Sequence, residues 1–192
     1  MRRERRTVTV FSIIVIVVVV LLIATLVGIY NTLVRSRNKV DNSWRQIDVQ
    51  LKRRHDLIPN LVEMVKDYMS YEQEVLQNVT KARSQAMQAQ GPADSAKAEN
   101  MLTGALKSLF AVAENYPDLK ANQNVSQLQE ELTSTENKIS FARQLYNDTV
   151  MSFNNRVQTF PSNVIAGIFG FRAREYFETP EEEKEPVKVE LR

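Results

Sequence analysis

The strongest pattern in the chain is an uninterrupted apolar run close to its amino terminus. Residues 8–30 carry no charged side chain. At a rise of about 1.5 Å per residue, a helix of this length reaches roughly 35 Å, which is enough to cross a hydrocarbon core of about 30 Å. A lone strand would leave its backbone groups unpaired in lipid, so the run predicts a transmembrane helix from Val8 to Tyr30.

A cleaved signal peptide is the alternative interpretation of this run. Signal sequences have a shorter apolar region of about 7–15 residues, which ends in a small-x-small site. Here the run is longer and ends in Leu-Val-Gly-Ile-Tyr. We therefore expect the segment to be retained as an anchor, with Tyr30 at the membrane interface.

The charges on the two sides of the span are nearly balanced. The basic residues nearest to it are Arg2, Arg3, Arg5 and Arg6 before the span and Arg35, Arg37, Lys39 and Arg45 after it. The N-terminal cluster is the denser of the two, which favours a single-pass protein of the cell membrane with a cytoplasmic amino terminus and an extracytoplasmic C-terminal domain.

Beyond the span, apolar residues recur at alternating spacings of three and four. The first such stripe runs from Tyr30 to Ala86, and two others cover residues 98–116 and 125–153. A period near 3.5 is typical of amphipathic helices that pack side by side. Glycines are few, and no strand-like alternation of useful length occurs. The pattern predicts an all-α fold.

The helix boundaries are marked by turn and capping residues. Gly91-Pro92 ends one predicted helix, and Asp94 or Ser95 is expected to cap the next. The remaining markers are Pro117, the capping-box pair Ser126 and Gln129, and Pro161.

Pro59 lies in the first stripe and leaves two arrangements open. The stripe passes through it unbroken, which favours a kinked continuous helix, yet proline costs about 3 kcal/mol in a helix interior. A straight helix over residues 31–90 would reach roughly 90 Å and outrun any partner, whereas a turn near residues 56–59 gives four pieces of comparable length. We therefore predict an N-terminal transmembrane helix followed by an antiparallel up-and-down four-helix bundle, in preference to a three-helix arrangement.

These patterns divide the chain into four segments. They are a basic N-terminal flank at 1–7, the transmembrane helix at 8–30, a helical domain with an apolar C-terminal segment at 31–177, and a charged tail at 178–192. The tail is short, acidic and proline-bearing, so we expect it to be disordered.

The apolar C-terminal segment stands where a polar tail would be ordinary. Within residues 160–177, the candidate interfacial or partner-docking residues are Val164, Ile165, Ile168, Phe169 and Phe171. Three interpretations stay open: the segment caps the core, it lies in the bilayer interface with nearby arginines at the headgroups, or it docks a partner.

Three charged residues interrupt the first stripe, at Arg37, Arg54 and Glu72. A charge at a core position must be paired or exposed. We expect these side chains to form ion pairs at helix ends or between helices, or to mark where the stripe opens toward another protein.

Composition offers little for catalysis. The chain has no cysteine, one histidine (His55) and a formal net charge of +2, so no disulfide, thiolate chemistry, His-based di-metal centre or strong field for nucleic acid is implied. His55 is expected at a solvent-facing or helix-end position. We expect no catalytic residue, no cofactor-binding residue and no metal ligand, hence no enzyme and no cofactor.

The sequence strings carry a resemblance to a known family. Residues 30–65, YNTLVRSRNKVDNSWRQIDVQLKRRHDLIPNLVEMV, and residues 102–171, with YPDLKAN and FPSN…FGF, are similar to the LemA family of membrane-associated bacterial proteins. The resemblance implies a compact four-helix domain and supplies no activity, ligand or catalytic residue. Some members carry a lipid-attachment cysteine after the apolar segment, and none is present here.

We therefore expect a single-pass bacterial membrane protein whose helical domain is a non-catalytic interaction or scaffold module. Its expected partners are the lipid bilayer and one or more proteins in the membrane, and not nucleic acid. A homo-oligomeric structural or membrane-shaping protein is the alternative, and a ligand-binding or enzymatic bundle with core carboxylates is a further one.

Overall fold

The computed structural model describes the backbone of residues 2–177 and the side chains of residues 11–177. The predicted disordered tail at 178–192 and the side chains of the basic flank at 1–7 lie outside these residues. Within residues 2–177 the elements are six helices and no strand: α1 Arg2–Lys66, α2 Gln73–Gln88, α3 Gly91–Ala113, α4 Pro117–Lys120, α5 Gln123–Gln158 and α6 Ser162–Ile168. The all-α prediction is confirmed for this part of the chain.

The chain divides into two compact units. Among the described residues, the first comprises residues 2–41 and Thr149–Arg174, and the second comprises Asn42–Asp148 and residues 175–177. In the first unit, the buried apolar side chains are Leu33, Val40, Val150, Phe153, Ile165, Ala166 and Phe171.

The second unit has one large apolar core. Buried side chains of α1, α2, α3 and α5 meet in a single cluster, which includes Leu61, Val79, Leu102 and Leu132. Most apolar members of the first predicted stripe between Leu33 and Ala86 are buried, which confirms its helical period.

The predicted turn near residues 56–59 is wrong, because α1 continues through Pro59 to Lys66. Proline cannot donate a hydrogen bond to the carbonyl four residues earlier, which is that of His55. The Nε–H of Arg83 in α2 donates to this carbonyl instead, at 2.7 Å from the His55 oxygen. Pro59 itself is exposed, while Ile58 and Leu61 on either side are buried, so apolar burial offsets the cost of the proline.

The first helix ends instead at a short turn over residues 67–72. The carbonyl of Val65 accepts hydrogen bonds from the backbone N–H groups of Tyr68 and Met69, and the Met69 side chain is fully buried beneath the turn.

The predicted caps also differ from the observed ones. Helix α3 begins at Gly91, with Pro92 in its first turn, rather than at Asp94 or Ser95. Proline suits the first turn because the N–H that it lacks has no intrahelical partner there. Helix α5 is capped by Asn122, whose Oδ1 accepts from the backbone N–H of Asn124 at 2.9 Å, rather than by the Ser126 and Gln129 pair.

A double-mutant cycle tests the role of Arg83. Arg83→Met will destabilise the full chain by about 1–3 kcal/mol, because the His55 carbonyl is left without a donor. In a Pro59→Ala background the new backbone N–H satisfies that carbonyl, so the same change will cost less than about 1 kcal/mol. Thermal unfolding followed by circular dichroism measures both costs. Equal costs in the two backgrounds would contradict this explanation of the uninterrupted helix.

Candidate functional sites

The apolar part of α1 has the composition of a membrane span. Among the described residues, one helix is long and apolar enough to cross a membrane, and it lies near the amino terminus. Its apolar side chains are exposed, from Phe11 at 69% to Val27 at 52%, unlike those of a buried core helix. Tyr30, the predicted end of the span, is 37% exposed. Val8, the predicted start, lies within α1, but its side chain is outside the described set.

The apolar C-terminal segment divides into a buried side and an exposed side. Ile165 and Phe171 are buried in the first unit, as a core cap requires. The exposed side consists of Phe160, Val164, Ile168 and Phe169, at 82%, 51%, 70% and 59% exposure. We call these four side chains the α6 surface. Of the five predicted residues, two are therefore buried and three are exposed.

Aromatic contacts hold this segment against the end of the apolar run. The ring of Tyr30 lies 4.8 Å from that of Phe169 and 5.9 Å from that of Phe171, between centroids. Arg37, one of the three predicted stripe charges, is exposed and places its guanidinium carbon 5.5 Å from the Phe171 centroid. Among the described residues its charge is thus accommodated by a ring face and not by an acid.

A recess lies beside the same stretch of α1. It has a volume of about 470 Å³ and is lined by Thr25, Gly28, Thr32, Arg156 and Ser162, among others. The Ser162 hydroxyl bonds to backbone carbonyls, at 2.6 Å to that of Arg156. The Arg156 side chain is exposed, and its guanidinium makes no hydrogen bond or ion pair within the described part of the chain.

The second unit contains a buried ionic cluster that joins three helices. Arg54 contacts the carboxylate of Glu99 at 3.3 Å, that of Glu136 at 2.8 Å and the Thr103 hydroxyl at 2.7 Å. The Nε2 atom of His55 lies 2.6 Å from the other Glu99 oxygen. We call these five residues the Glu99 cluster. The expectation that Arg54 forms an interhelical ion pair is met in this geometry.

The expected position of His55 is wrong. Its side chain is buried, not at a solvent-facing or helix-end position. Because a carboxylate oxygen accepts hydrogen bonds, Nε2 must carry the hydrogen that it shares with Glu99. Both oxygens of the Glu99 carboxylate therefore have a hydrogen-bond donor. A carboxylate can be buried in a protein core only when it is paired in this way.

Sequence reasoning missed Glu99 because it followed a different face of α3. The predicted stripe ran through Ala98, Leu102 and Leu109, and Glu99 is one residue away from it. The buried positions of α3 are Ser95, Ala96, Ala98, Glu99, Leu102, Leu106 and Leu109. One set among them consists of Ser95, Glu99, Leu102, Leu106 and Leu109. This set has the same three-and-four spacing, so a stripe that admitted polar members would have included Glu99.

The third stripe charge lies near the turn between α1 and α2. Glu72 is half-buried, and its carboxylate accepts a hydrogen bond from the Tyr116 hydroxyl at 3.4 Å. Burial raises the pKa of Tyr116, and the negative charge of Glu72 and this hydrogen bond raise it further. The folded protein therefore favours the neutral phenol of Tyr116. The stability that this neutral form contributes is lost only as the pH rises above about 10, where the phenol loses its proton.

An open groove runs between α1 and α5 in the second unit. Its volume is about 1180 Å³, and its walls include Val49 and Gln50 of α1 and Phe141 of α5. Val49 and Phe141 are 62% and 71% exposed. The Oε1 atom of Gln50 is buried yet has no hydrogen-bond partner within the described residues. We call this feature the α1–α5 groove.

The end of the described chain is fixed to the second unit by Phe177. Asn147 of α5 binds both backbone groups of Phe177, since Nδ2 donates to its carbonyl and Oδ1 accepts from its N–H, each at 2.9 Å. The Phe177 ring is 6.1 Å from that of Trp44 and 4.7 Å from the Arg143 guanidinium carbon.

Metal binding has no evident place in this geometry. No group of three or more acidic or histidine side chains in the described part of the chain is arranged to hold a metal ion.

Comparison with known proteins decides the family. The family model described as "LemA family" matches residues 43–191, which is most of the chain. The chain belongs to the LemA family. The resemblance inferred from the sequence strings is thus confirmed.

Individual relatives agree with this membership in the LemA family. Protein LemA of Metamycoplasma hominis is 30% identical over 144 residues, covering 73% of this chain and 64% of the relative. Magnetosome protein MamQ 2 of Paramagnetospirillum magneticum is 26% identical over 182 residues, covering 81% and 67%. Magnetosome protein MamQ of Magnetospirillum gryphiswaldense is 24% identical over 181 residues, covering 81% and 66%. This LemA family chain therefore spans about two thirds of the length of these relatives.

Proposed function

We propose that this chain is a single-pass bacterial membrane protein whose helical domain is a non-catalytic scaffold that binds another membrane protein. The domain is an antiparallel up-and-down four-helix bundle in this proposal, and the amino terminus is cytoplasmic. The partner contributes an amphipathic helix, which lies in the α1–α5 groove.

The main support for this proposal is the Gln50 side chain in the α1–α5 groove. The buried Gln50 oxygen lacks a donor, and an unsatisfied buried acceptor costs about 1–3 kcal/mol. A partner helix that draws the Gln50 side chain outward and donates to this oxygen would remove that cost. The flanking exposed side chains of Val49 and Phe141 offer apolar anchors on opposite walls, as helix-in-groove recognition requires.

Two further properties fit a scaffold. Helix α1 runs without interruption from the apolar span into residues with buried side chains, so the anchor is not joined through a flexible linker. The Glu99 cluster uses its charged groups to satisfy one another, which leaves no free acid or base within it for chemistry.

Site-specific photo-crosslinking tests the proposal in intact cells. A benzophenone amino acid at Val49 or Phe141 of the full chain is expected to give the same defined adduct. The matched controls are Met87 and Met101, which are similarly exposed, at 56% and 57%, and lie outside the groove. They are expected to give no such adduct.

The adduct also identifies the kind of partner. Mass spectrometry that finds a second membrane protein supports the scaffold. An adduct of two copies of this chain would instead support the homo-oligomeric alternative. If the groove positions and the control positions give the same products, or none, the groove is not a docking surface.

A further inference from the structure

We propose that the first unit binds the headgroups of anionic phospholipids next to the end of its apolar span. This inference rests on the proposed insertion of that span into a membrane. It adds a lipid preference, which insertion alone does not require.

Charge is distributed very unevenly along the chain. Within residues 31–41 and 149–174, the only acid is Asp41, and the basic residues are Arg35, Arg37, Lys39, Arg156, Arg172 and Arg174. In the second unit, acids outnumber basic residues. The net positive charge is therefore concentrated in the same unit as the apolar span.

Within residues 11–177, most of these cations have no acidic partner. Asp41 is bound by Arg174 at 3.1 Å, and Arg37 lies over the Phe171 ring. The other four, Arg35, Lys39, Arg156 and Arg172, are exposed and make no ion pair within the described residues. We call them the basic collar. Unpaired positive side chains repel one another, and an anionic surface offsets this repulsion, so such a surface stabilises them.

Two collar residues lie near the end of the span: Arg156 lines the recess with Ile29 and Thr32, and Arg172 follows Phe171, whose ring is 5.9 Å from that of Tyr30. Tyr30 ends the apolar span, and Phe169 packs on its ring at 4.8 Å, so the α6 surface lies at the level where the span leaves the hydrocarbon. Exposed aromatic and aliphatic side chains next to basic ones are typical of segments that lie in the bilayer interface.

The recess beside Gly28 fits one headgroup. Arg156 is its free cation, and Thr25 and Thr32 line the wall formed by α1. The hydroxyls of these two threonines donate to α1 carbonyls at 2.8 Å, so Arg156 is the group that would bind a phosphate. Near an anionic bilayer, each basic residue strengthens binding about fivefold.

Spin-labelled lipids test this inference on the full chain in phosphatidylcholine vesicles. Electron paramagnetic resonance measures the fraction of labelled lipid that is immobilised by the protein. We expect labelled phosphatidylglycerol to associate at least about fivefold more strongly than labelled phosphatidylcholine, and we expect high salt to reduce this preference.

A pair of charge-matched variants locates the preference. Changing Arg35, Lys39, Arg156 and Arg172 to glutamine should remove most of it. The control changes Lys52, Lys81, Lys97 and Lys107 to glutamine, which removes the same charge from exposed positions of the second unit. This control should retain the preference, and the N-terminal arginines are the same in all three proteins.

The outcomes separate the two proposals. If no lipid is immobilised at all, the span does not insert and both the membrane anchor and the collar fail. If both lipids are immobilised equally, or if the collar and control variants behave alike, only the lipid inference is overturned. If inorganic phosphate abolishes the preference and sodium chloride of equal ionic strength does not, the collar is a site for free phosphate and the lipid assignment is wrong.

Discussion

Glu99→Ala will lower the free energy of unfolding of the full chain by about 3–5 kcal/mol, because Arg54 stays buried with one of its two carboxylates gone. His55 loses its acceptor in the same change. For a chain of this size, the melting temperature should fall by roughly 10 °C. Circular dichroism at 222 nm in mild detergent measures the change.

Two comparisons separate charge burial from simple loss of a side chain. Glu131→Ala removes a half-exposed partner of Arg53, at 3.6 Å, and should cost less than about 1 kcal/mol. The double change Arg54→Met with Glu99→Leu removes both fully buried ions and should recover most of the loss, since apolar pairs of similar volume often replace buried ion pairs without cost. If the double variant is as unstable as Glu99→Ala, the buried charge is not the cause.

Phe177→Ala will destabilise the chain by about 3–5 kcal/mol, since it empties a fully buried aromatic site. It also removes the ring over which the Arg143 guanidinium lies. The change should shift the emission of Trp44 to longer wavelength, because its ring lies near that of Phe177 and water would enter the space. Trp44 is the one tryptophan of the chain, so its fluorescence is a specific local measurement.

The neighbouring Tyr176 provides the matched control. Its side chain is 43% exposed, so Tyr176→Ala should cost less than about 1 kcal/mol and leave Trp44 emission unchanged. An equal loss of stability in the two variants would show that the end of the chain is held by its backbone bonds to Asn147, and not by the Phe177 ring.

The helical class and the apolar span follow from local patterns in the sequence. The three-and-four spacing of residues such as Leu33, Val40, Ile47 and Leu61 repeats over many turns, and a period of that length has one structural interpretation. The family can also be inferred from the sequence alone, because the inference rests on similarity over long segments and not on contacts in three dimensions.

Local sequence patterns do not predict that helix α1 continues through Pro59. A proline in a helix interior costs a hydrogen bond, and the sequence does not reveal that Arg83 donates to the carbonyl of His55, 28 residues away. The same holds for the helix starts. The sequence does not show that Asn122 caps α5 or that α3 begins at Gly91, because several nearby residues have similar capping propensity and packing selects among them.

By itself, the sequence determined that this protein is helical, that residues 8–30 have the length and composition of a membrane span, and that the chain is of the LemA type. Only the tertiary structure decided that Arg54 and His55 share the buried Glu99, and that Phe169 lies against Tyr30. The reason is the range of the interactions. Periodicity and composition act between near neighbours, whereas ion pairing and ring packing join residues that are 44 or more positions apart.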